Sequence, residues 1–270
     1  MPNSGDRFRL DGKVVVVTGA TGILGRLYSQ RLAEAGARVV IADRDPENCR
    51  QLAEQIRAAG GQAQANPVDL SQEASVEDWA REILDSPGRV DVLVNNAATK
   101  SPQFFAPLEA FPLDDWNHVM AVNVTGMFLV LKHLGPSMVA QGHGSVINVS
   151  SIYGVVGPDQ RIYEGSWYEE LGGPINTPLI YSVTKGAVIS LTRHMATLWG
   201  PKGIRTNTLT PGGVSSGQNS AFAEKYSSRV PLGRMAQAED LVGALLFLAS
   251  DASVYVNGQN LIVDGGWTAW

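Results

Sequence analysis

Runs of β-branched residues alternate along the chain with segments whose apolar residues recur at helical spacing. The run "KVVVVTGA" (13–20) is typical of a buried strand, and "GRLYSQRLAEAG" (25–36) is typical of a helix that stops at a glycine. Further strands are predicted at 37–43, 63–70, 90–98, 144–151, 204–212 and 258–266, and further helices at 46–61, 75–88, 114–141, 181–203 and 238–251. Near-continuous apolar strands separated by helices predict an α/β fold, a doubly wound parallel sheet with helices on both faces.

Composition and charge narrow the classes of function. The 270 residues carry a formal net charge of −5 and no run of lysine or arginine, so no nucleic-acid partner is expected. No repeat or linker divides the chain, which predicts a single domain over residues 1–270. Cys49 is the only cysteine, which excludes an internal disulfide and a cysteine-rich metal site, and no metal is expected. Without an 18-residue apolar run or a signal-peptide segment, we expect a cytoplasmic protein and no membrane partner.

A glycine-rich turn, "TGATGILG" (18–25), lies between the first predicted strand and the first helix. In a doubly wound sheet this turn is where the pyrophosphate of a dinucleotide meets a helix N-terminus, because glycines let the backbone approach and free N–H groups point at the phosphates. The second strand ends at Asp43, eighteen residues after Gly25. Its carboxylate can accept hydrogen bonds from the ribose hydroxyls and would repel a 2′-phosphate, whereas Arg44 beside it could accept that phosphate. The prediction is NAD as cofactor, with NADP as the alternative.

Asp69 follows the third predicted strand and admits two interpretations. Its carboxylate could accept a hydrogen bond from the adenine amino group of the cofactor. It could equally cap the N-terminus of the helix that follows.

The segment "YSVTK" (181–185) opens a predicted helix and places Tyr181 and Lys185 on one face, four residues apart. A free phenol has a pKa of about 10, and a nearby ammonium can lower that pKa by roughly 1–3. Such a pair can take a proton from an alcohol as hydride leaves, or return it to a ketone. Spacing alone does not separate a catalytic pair from a surface pair.

Six short motifs extend this interpretation. In chain order they are "TGATGILG" (18–25), "NNAA" (95–98), "NVSS" (148–151), "YSVTK" (181–185), "PGGVSS" (211–216) and "GQNLIVDGG" (258–266). Their order and approximate spacing resemble those of the short-chain dehydrogenase/reductase family over nearly the whole chain, from about residue 10 to 270. The resemblance implies a Rossmann-like fold and an NAD(P)-dependent enzyme.

The resemblance also implies a catalytic role for four residues. Tyr181 would be the general acid/base, and Lys185 would lower its pKa and hold the nicotinamide ribose. Ser151 would hydrogen-bond the reacting oxygen. Asn123 would anchor a water that links Lys185 to a proton relay, or would only mark a kink in its helix.

A larger set of residues would bind the cofactor by the same resemblance. Asn95 and Ala97 would flank the adenosine ribose, and Val214 and Ser216 would meet the nicotinamide carboxamide. The full predicted set is Gly19, Thr21, Gly22, Ile23, Leu24, Gly25, Asp43, Arg44, Asp69, Leu70, Asn95, Ala97, Tyr181, Lys185, Pro211, Gly212, Val214 and Ser216.

Three features depart from the short oxidoreductase branch of that family. "NNAA" ends in alanine where glycine is usual, and the glycine turn runs G-x-x-G-x-x-G. Ser151 and Tyr181 are 30 residues apart, more than twice the usual separation. Long spacers and this glycine pattern are more typical of the extended branch, which includes NAD-retaining sugar epimerases and dehydratases. The ending "VDGGWTAW" (263–270), in contrast, resembles that of the short branch.

An insertion at 158–178 accounts for the long separation and is rich in glycine, proline, aromatic and acidic residues. Because Ser151 and Tyr181 both have to reach the substrate, we predict a folded loop, rather than an added strand, that forms part of the substrate wall. The alternative is a loop that caps a neighbouring subunit or packs on the surface. Its candidate substrate contacts are the aromatic residues Tyr163, Trp167 and Tyr168 and the hydrogen-bond acceptors Glu164, Glu169 and Glu170.

These observations favour an oxidoreductase that interconverts a secondary alcohol and a ketone in a polyhydroxylated, sugar-like small molecule. An NAD-retaining sugar epimerase or dehydratase is the alternative enzyme. A non-catalytic dinucleotide-sensing regulator is the alternative of another class, although it would be expected to have broken catalytic positions.

The helices at 114–140 and 181–199 carry apolar residues on more faces than one sheet can bury. Wider apolar coverage than one stripe implies a second contact, so a homodimer or homotetramer is predicted. The apolar residues concerned are Met120, Val124, Met127, Phe128, Leu131, Val183, Val188, Leu191, Met195 and Leu198.

Overall fold

The computed structural model describes residues 4–168 and 173–270. Its strands are β1 (Val14–Thr18), β2 (Arg38–Ala42), β3 (Gln62–Ala65), β4 (Val92–Asn95), β5 (Gly144–Val149), β6 (Trp167–Tyr168), β7 (Gly173–Pro174), β8 (Ile204–Pro211) and β9 (Asn260–Val263). Seven of them form one parallel sheet in the order β3-β2-β1-β4-β5-β8-β9. The order reverses between β1 and β4, so the crevice of a doubly wound fold lies at the carboxyl ends of these two strands.

Helices cover both faces of this sheet, as the sequence predicts. They are α1 (Ile23–Glu34), α2 (Pro46–Ala58), α3 (Glu73–Asp85), α4 (Leu113–Met120), α5 (Met127–Gln141), α6 (Leu179–Trp199), α7 (Ser220–Ser227) and α8 (Val242–Ala249). One buried cluster joins the sheet to α1, α2 and α8, and a second joins it to α3, α5 and α6. The prediction of a doubly wound, Rossmann-like α/β fold is confirmed.

Local sequence explains why these elements form where they do. All five residues of β1 are buried, which suits a central strand with helices on both sides. Helix α2 starts at Pro46, and the Asp45 carboxylate caps it by accepting hydrogen bonds from the backbone N–H groups of Glu47 and Asn48. The helix is followed by Gly60 at φ +88°, a left-handed conformation that glycine adopts without strain.

The long helix predicted at 114–141 is divided by a π-helical turn, Ala121–Gly126, between α4 and α5. Helix α7 was not predicted, because its eight residues, "SAFAEKYS", show too little periodicity to identify a helix. Helix α6 begins at Leu179, two residues before the predicted start.

The insertion contains a 3₁₀ turn, Gln160–Tyr163, and the antiparallel pair of two-residue strands β6 and β7. The prediction of a loop without strands is therefore corrected. Within the described residues this pair stays separate from the central sheet. Glu169, Glu170 and the side chain of Tyr168 lie outside the described residues, so their predicted substrate contacts stay predictions.

One helical stretch of the described chain, Leu113–Gln141, is long and apolar enough to cross a membrane by length and composition alone. Half of its most apolar window is buried inside the protein. Leu134 and Met138, for example, pack in the core between α5 and the sheet. Length and composition therefore do not by themselves make this stretch a membrane span, because part of it packs on the sheet.

Candidate active site

A cavity of about 740 Å³ opens at the carboxyl ends of the strands, where the strand order reverses. The glycine turn lies at one side of this cavity, and Ser151, Tyr181 and Lys185 lie in its wall as well. The predicted cofactor residues that line it are Gly19, Thr21, Gly22, Ile23, Leu24, Asp43, Arg44, Asp69, Leu70, Ala97, Tyr181, Lys185, Pro211, Gly212, Val214 and Ser216. The fold therefore brings most of the predicted site residues together.

The glycine turn is tightly packed at two of its glycines. Gly19 has φ +62°, and a Cβ there would lie 2.6 Å from the Cα of Ala97. A Cβ on Gly25 would lie 2.0 Å from the carbonyl oxygen of Gly19, so Gly25 serves the close packing of the turn and does not itself line the cavity. Helix α1 begins after Gly22, and no side chain of the described residues caps it. Its first N–H groups are thus available to an anion, which fits a dinucleotide.

Asp43 connects the end of β2 to the glycine turn. Its Oδ2 accepts hydrogen bonds from the backbone N–H of Thr21 (3.0 Å) and from the Thr21 hydroxyl (2.7 Å). Its Oδ1 accepts one from the backbone N–H of Arg44 (2.7 Å). The carboxylate is therefore held in place beside the cavity, while the Arg44 side chain is exposed.

Asn95 requires a correction, because it does not line the cavity. Its side chain is 2% exposed and donates a hydrogen bond to Asn148 Oδ1 (2.8 Å), which joins β4 to β5. The following residue, Asn96, lines the cavity and donates from Nδ2 to the carbonyl oxygens of Thr18 (3.2 Å) and Gly19 (3.0 Å). Successive side chains of a strand point to opposite faces, so Asn95, at the end of β4, bonds to Asn148 on β5, whereas Asn96 faces the crevice.

Asp69 lines the cavity and does not cap a helix. Its Oδ1 accepts hydrogen bonds from the backbone N–H of Ser71 (2.9 Å) and from the Ser71 hydroxyl (2.7 Å), whereas α3 has Gln72 as its N-cap. Partial burial raises the pKa of Asp69, but the hydrogen bonds from Ser71 outweigh it and keep that pKa below its usual value. The ionised carboxylate therefore faces the cavity, and the capping interpretation is wrong.

The backbone brings Ser151 and α6 together despite their separation in sequence. The Ser150 hydroxyl donates a hydrogen bond to the carbonyl oxygen of Lys185 (2.8 Å). A Cβ on Gly154 would lie 2.6 Å from the carbonyl carbon of Lys185, so only glycine lets the 3₁₀ turn Ile152–Gly154 pack so closely on α6. The Ser150 hydroxyl is thus engaged with α6, whereas the Ser151 hydroxyl is hydrogen-bonded to Tyr181 in the cavity wall.

Burial dominates the electrostatics of Tyr181 and Lys185. It raises the pKa of Tyr181, and the hydrogen bond with the Ser151 hydroxyl only partly opposes this. It lowers the pKa of Lys185 from 10.5 to about 8, because the ammonium is 6% exposed and its one hydrogen-bond partner in the described structure is the carbonyl oxygen of Val149 (3.0 Å). The Lys185 Nζ lies 5.8 Å from the centre of the Tyr181 ring. The predicted lowering of the phenol pKa by Lys185 does not dominate, because desolvation of the pair is the larger effect.

Asn123 lies in the π-helical turn, behind the cavity wall. Its Oδ1 accepts a hydrogen bond from the backbone N–H of Thr99 (2.8 Å), whereas its buried Nδ2 has no partner among the described residues. π-Turns often occur at functional sites. A buried amide donor without a protein partner fits the predicted water anchor.

The insertion contributes to the cavity wall, although not through all of the predicted residues. Tyr163 lines the cavity. Glu164 and Trp167 do not, and both are exposed, so their predicted substrate contacts are corrected. The physical reason is that the segment is docked on α7: Lys225 Nζ donates to the carbonyl oxygen of Glu164 (2.6 Å), which leaves the Glu164 carboxylate outside.

Sequence reasoning missed several residues of the same wall. They are Tyr153, Ile175, Asn176, Thr177, Phe222 and Tyr226. Tyr153 could have been found by its position two residues after Ser151. Phe222 and Tyr226 had no such signal, because they belong to the unpredicted helix α7.

Known proteins resemble this chain in sequence over nearly its whole length. A family model described as "short chain dehydrogenase" matches residues 13–166, and one described as "Enoyl-(Acyl carrier protein) reductase" matches residues 166–268. The chain is 32% identical to a D-threitol dehydrogenase of Mycolicibacterium smegmatis, over 97% of this chain and 95% of the relative. It is 36% identical to a gluconate 5-dehydrogenase of Gluconobacter oxydans, over 97% of each.

A solved structure agrees in fold and sequence. It is a gluconate 5-dehydrogenase from Burkholderia cenocepacia in complex with NADP and tartrate, with a TM-score of 0.89 and 37% identity over 99% of this chain and 100% of that chain. The chain therefore belongs to the short-chain dehydrogenase/reductase family, and it is an oxidoreductase that acts on CH–OH groups with NAD or NADP.

Proposed function

We propose that the enzyme interconverts a secondary alcohol and a ketone in a polyhydroxylated substrate, of the size of a sugar acid or a polyol. The observation that carries this proposal is the wall beside Ser151 and Tyr181, where the hydroxyls of Tyr153, Tyr163 and Thr177 line the cavity. Hydroxyl groups of this kind recognise oxygen-rich ligands, whereas an acyl chain would leave the donor that these groups do not use among themselves unpaired. The names of the polyol and sugar-acid dehydrogenases among the relatives agree with this substrate class.

In this proposal four side chains share the chemistry. Tyr181 takes the proton of the substrate hydroxyl in oxidation and returns it to the carbonyl oxygen in reduction. Ser151 holds the same oxygen by a hydrogen bond. Lys185 and Asn123 assist the proton transfer by Tyr181. When bound, the nicotinamide ring supplies or accepts the hydride.

A substrate screen tests the proposal. Polyols, aldonates and keto sugar acids are offered with NAD, NADP or their reduced forms, and absorbance at the wavelength of the reduced nicotinamide is followed. The proposal expects net oxidation or reduction of at least one polyhydroxylated compound. Turnover of a 3-oxoacyl thioester alone would contradict it, and conversion of a sugar without net change in external cofactor would support the epimerase or dehydratase alternative.

For the cofactor, we expect a preference for NAD over NADP of about 10–100-fold in kcat/KM. The Asp43 carboxylate is fixed by three hydrogen bonds, so it cannot turn away from a 2′-phosphate. Like charges brought together cost several kcal/mol, and the exposed Arg44 offsets this only in part. Asp43→Asn should reduce the preference by raising kcat/KM for NADP.

Glu47→Gln is the matched control, because it removes an exposed acid of α2 that does not line the cavity. It should leave the ratio of the two kcat/KM values unchanged. If wild-type protein prefers NADP, the cofactor of the Burkholderia relative, then Arg44 and not Asp43 governs the pocket.

We also propose two-fold association through α5 and α6. Met127, Leu131 and Val188 belong to the core, so the surface available for this contact is narrower than predicted. Its exposed apolar residues are Phe128, Val183, Leu198 and, at the start of α6, Leu179. Large exposed apolar side chains on adjacent helices are typical of an isologous interface.

Phe128→Glu should therefore lower the oligomeric mass measured by light scattering at micromolar concentration, because it places a charge in the contact. Phe8→Glu is the control, since Phe8 is a comparably exposed aromatic residue outside these helices and its variant should keep the wild-type mass. A monomeric wild-type protein would contradict the proposal. A cytoplasmic location and a single domain over 1–270, with 158–178 as the substrate-side insertion, complete the proposed description.

A further inference from the structure

Three hydroxyl groups form a connected cluster in the cavity wall. The Thr177 hydroxyl donates a hydrogen bond to the Tyr163 hydroxyl (2.6 Å), which donates to the Tyr153 hydroxyl (3.2 Å). All three residues line the cavity. Three hydroxyls carry three protons, and two hydrogen bonds use two of them. Thr177 also acts on the Tyr153 hydroxyl, as a hydrogen-bond donor that lowers its pKa, and no hydrogen bond donated by Tyr153 is found among the described residues, so one proton, carried by Tyr153 in this arrangement, is left for a ligand.

The cluster is held rigidly beside the reaction centre. The backbone N–H of Tyr153 donates to Ser151 Oγ (3.2 Å), so Tyr153 and Ser151 share one turn. Gln160 fixes Thr177 from both sides, because its Nε2 donates to the Thr177 carbonyl oxygen (2.7 Å) and its Oε1 accepts from the Thr177 N–H (3.2 Å). The ring of Tyr163 packs against Phe222, with 5.1 Å between the ring centres.

Burial keeps these phenols neutral. It raises the pKa of Tyr153 and also that of Tyr163, so both remain protonated hydrogen-bond donors at neutral pH. In such surroundings a chain of hydrogen bonds polarises its last donor. Leaving that donor without a partner inside a complex costs about 1–3 kcal/mol.

We infer that Tyr153, oriented by Tyr163 and Thr177, recognises a second oxygen of the substrate on the carbon next to the reacting one. This inference rests on the proposed function and narrows its substrate class to vicinal diols and α-hydroxy compounds. A substrate with that oxygen satisfies the Tyr153 hydroxyl. An analogue without it leaves the phenol buried and unpaired, which corresponds to a loss of about 5–150-fold in affinity.

The test compares D-threitol with 1,3-butanediol, a four-carbon secondary alcohol that has no oxygen on either carbon next to the reacting one, in NAD-loaded protein. Both kcat/KM and the dissociation constant of each polyol are measured, so that binding is read even where turnover is slow. Wild-type protein should favour D-threitol, and Tyr153→Phe should remove most of this preference by weakening D-threitol alone. Thr177→Val keeps the shape of the side chain and should reduce the preference partially, because Tyr163 and Tyr153 lose their orientation.

Tyr28→Phe is the matched control. It removes a buried phenol hydroxyl that has no partner among the described residues, and Tyr28 lies on α1 in the core, outside the cavity lining. Its preference should equal that of the wild type. An unchanged preference in Tyr153→Phe would overturn the inference even if polyols are turned over. Absence of turnover with every polyhydroxylated compound would contradict the proposed function instead, and the ratio of dissociation constants would still decide the inference.

Discussion

Replacing Tyr181 by phenylalanine should lower kcat by about 10²–10⁴-fold, the usual effect of losing a general acid/base. The dissociation constant of NAD should change little, because the substitution removes one hydroxyl and almost no contact area. The measurement is kcat for the best substrate of the screen together with a fluorescence titration of NAD. Tyr255→Phe is the control, since Tyr255 is fully exposed and should tolerate the same change. A kcat within about tenfold of the wild-type value would contradict the assignment of Tyr181 as the general acid/base.

The direction of the reaction should respond to pH through the same residue. Burial raises the pKa of Tyr181, so the phenol form predominates at neutral pH. Oxidation of an alcohol needs the phenolate as base and should accelerate as pH rises, whereas reduction of a ketone needs the phenol and should be favoured at lower pH. A rate of alcohol oxidation that falls on moving from pH 7 to pH 9 would contradict this assignment.

Lys185→Met should have opposite effects on activity and stability. The ammonium contributes to the proton transfer, so kcat should fall by about 10²–10⁴-fold, as for other acid/base components. The free energy of unfolding at pH 7 should rise, because burial of the charge opposes folding and methionine fills similar space without a charge. The fall in the pKa of Lys185 from 10.5 to about 8 sets an upper bound of about 3 kcal/mol for this gain.

The gain should depend on pH in a defined way. Between pH 8 and pH 10.5 the unfolded chain keeps the Lys185 proton that the folded protein has released, so this residue makes wild-type stability rise with pH in that window. Below pH 8 the amount by which the buried Lys185 ammonium lowers the free energy of unfolding does not change with pH. The advantage of Lys185→Met should therefore shrink as pH rises towards 10, measured by urea unfolding without cofactor. A less stable variant at pH 7 would show that the buried ammonium is compensated by groups other than Val149.

Much of the fold could be predicted from local patterns. The run of four valines in β1, the Asp45–Pro46 start of α2 and the alternation of strands and helices require only neighbouring residues to be compared. Helix α7 was missed because its structure depends on packing: Phe222 and Tyr226 are buried against Tyr163 and Trp267, residues distant in sequence. Propensity summed over eight residues is too weak to replace such contacts.

The same distinction holds in the site. The spacing of Tyr181 and Lys185 is enough to place them on one helix face. The motif of the glycine-rich turn (18–25) is likewise enough to predict a conformation that requires Gly19. Asn95 and Asn96, in contrast, are identical side chains one position apart, and only the end of β4 decides which of them faces the crevice. Glu164 has the chemistry of a substrate contact, but the hydrogen bond from Lys225 turns this segment outward.

The α/β class, the cofactor end of the site and the helix that carries Tyr181 and Lys185 could be predicted without coordinates, because they depend on periodicity and on motifs a few residues long. The positions of the side chains in the insertion could not. In the folded protein Tyr163 and Thr177 line the cavity beside Ser151, and Trp167 is half exposed. Those positions follow from long-range packing on α7 and from hydrogen bonds such as that of Gln160 to Thr177. Such contacts carry no periodic signal along the chain.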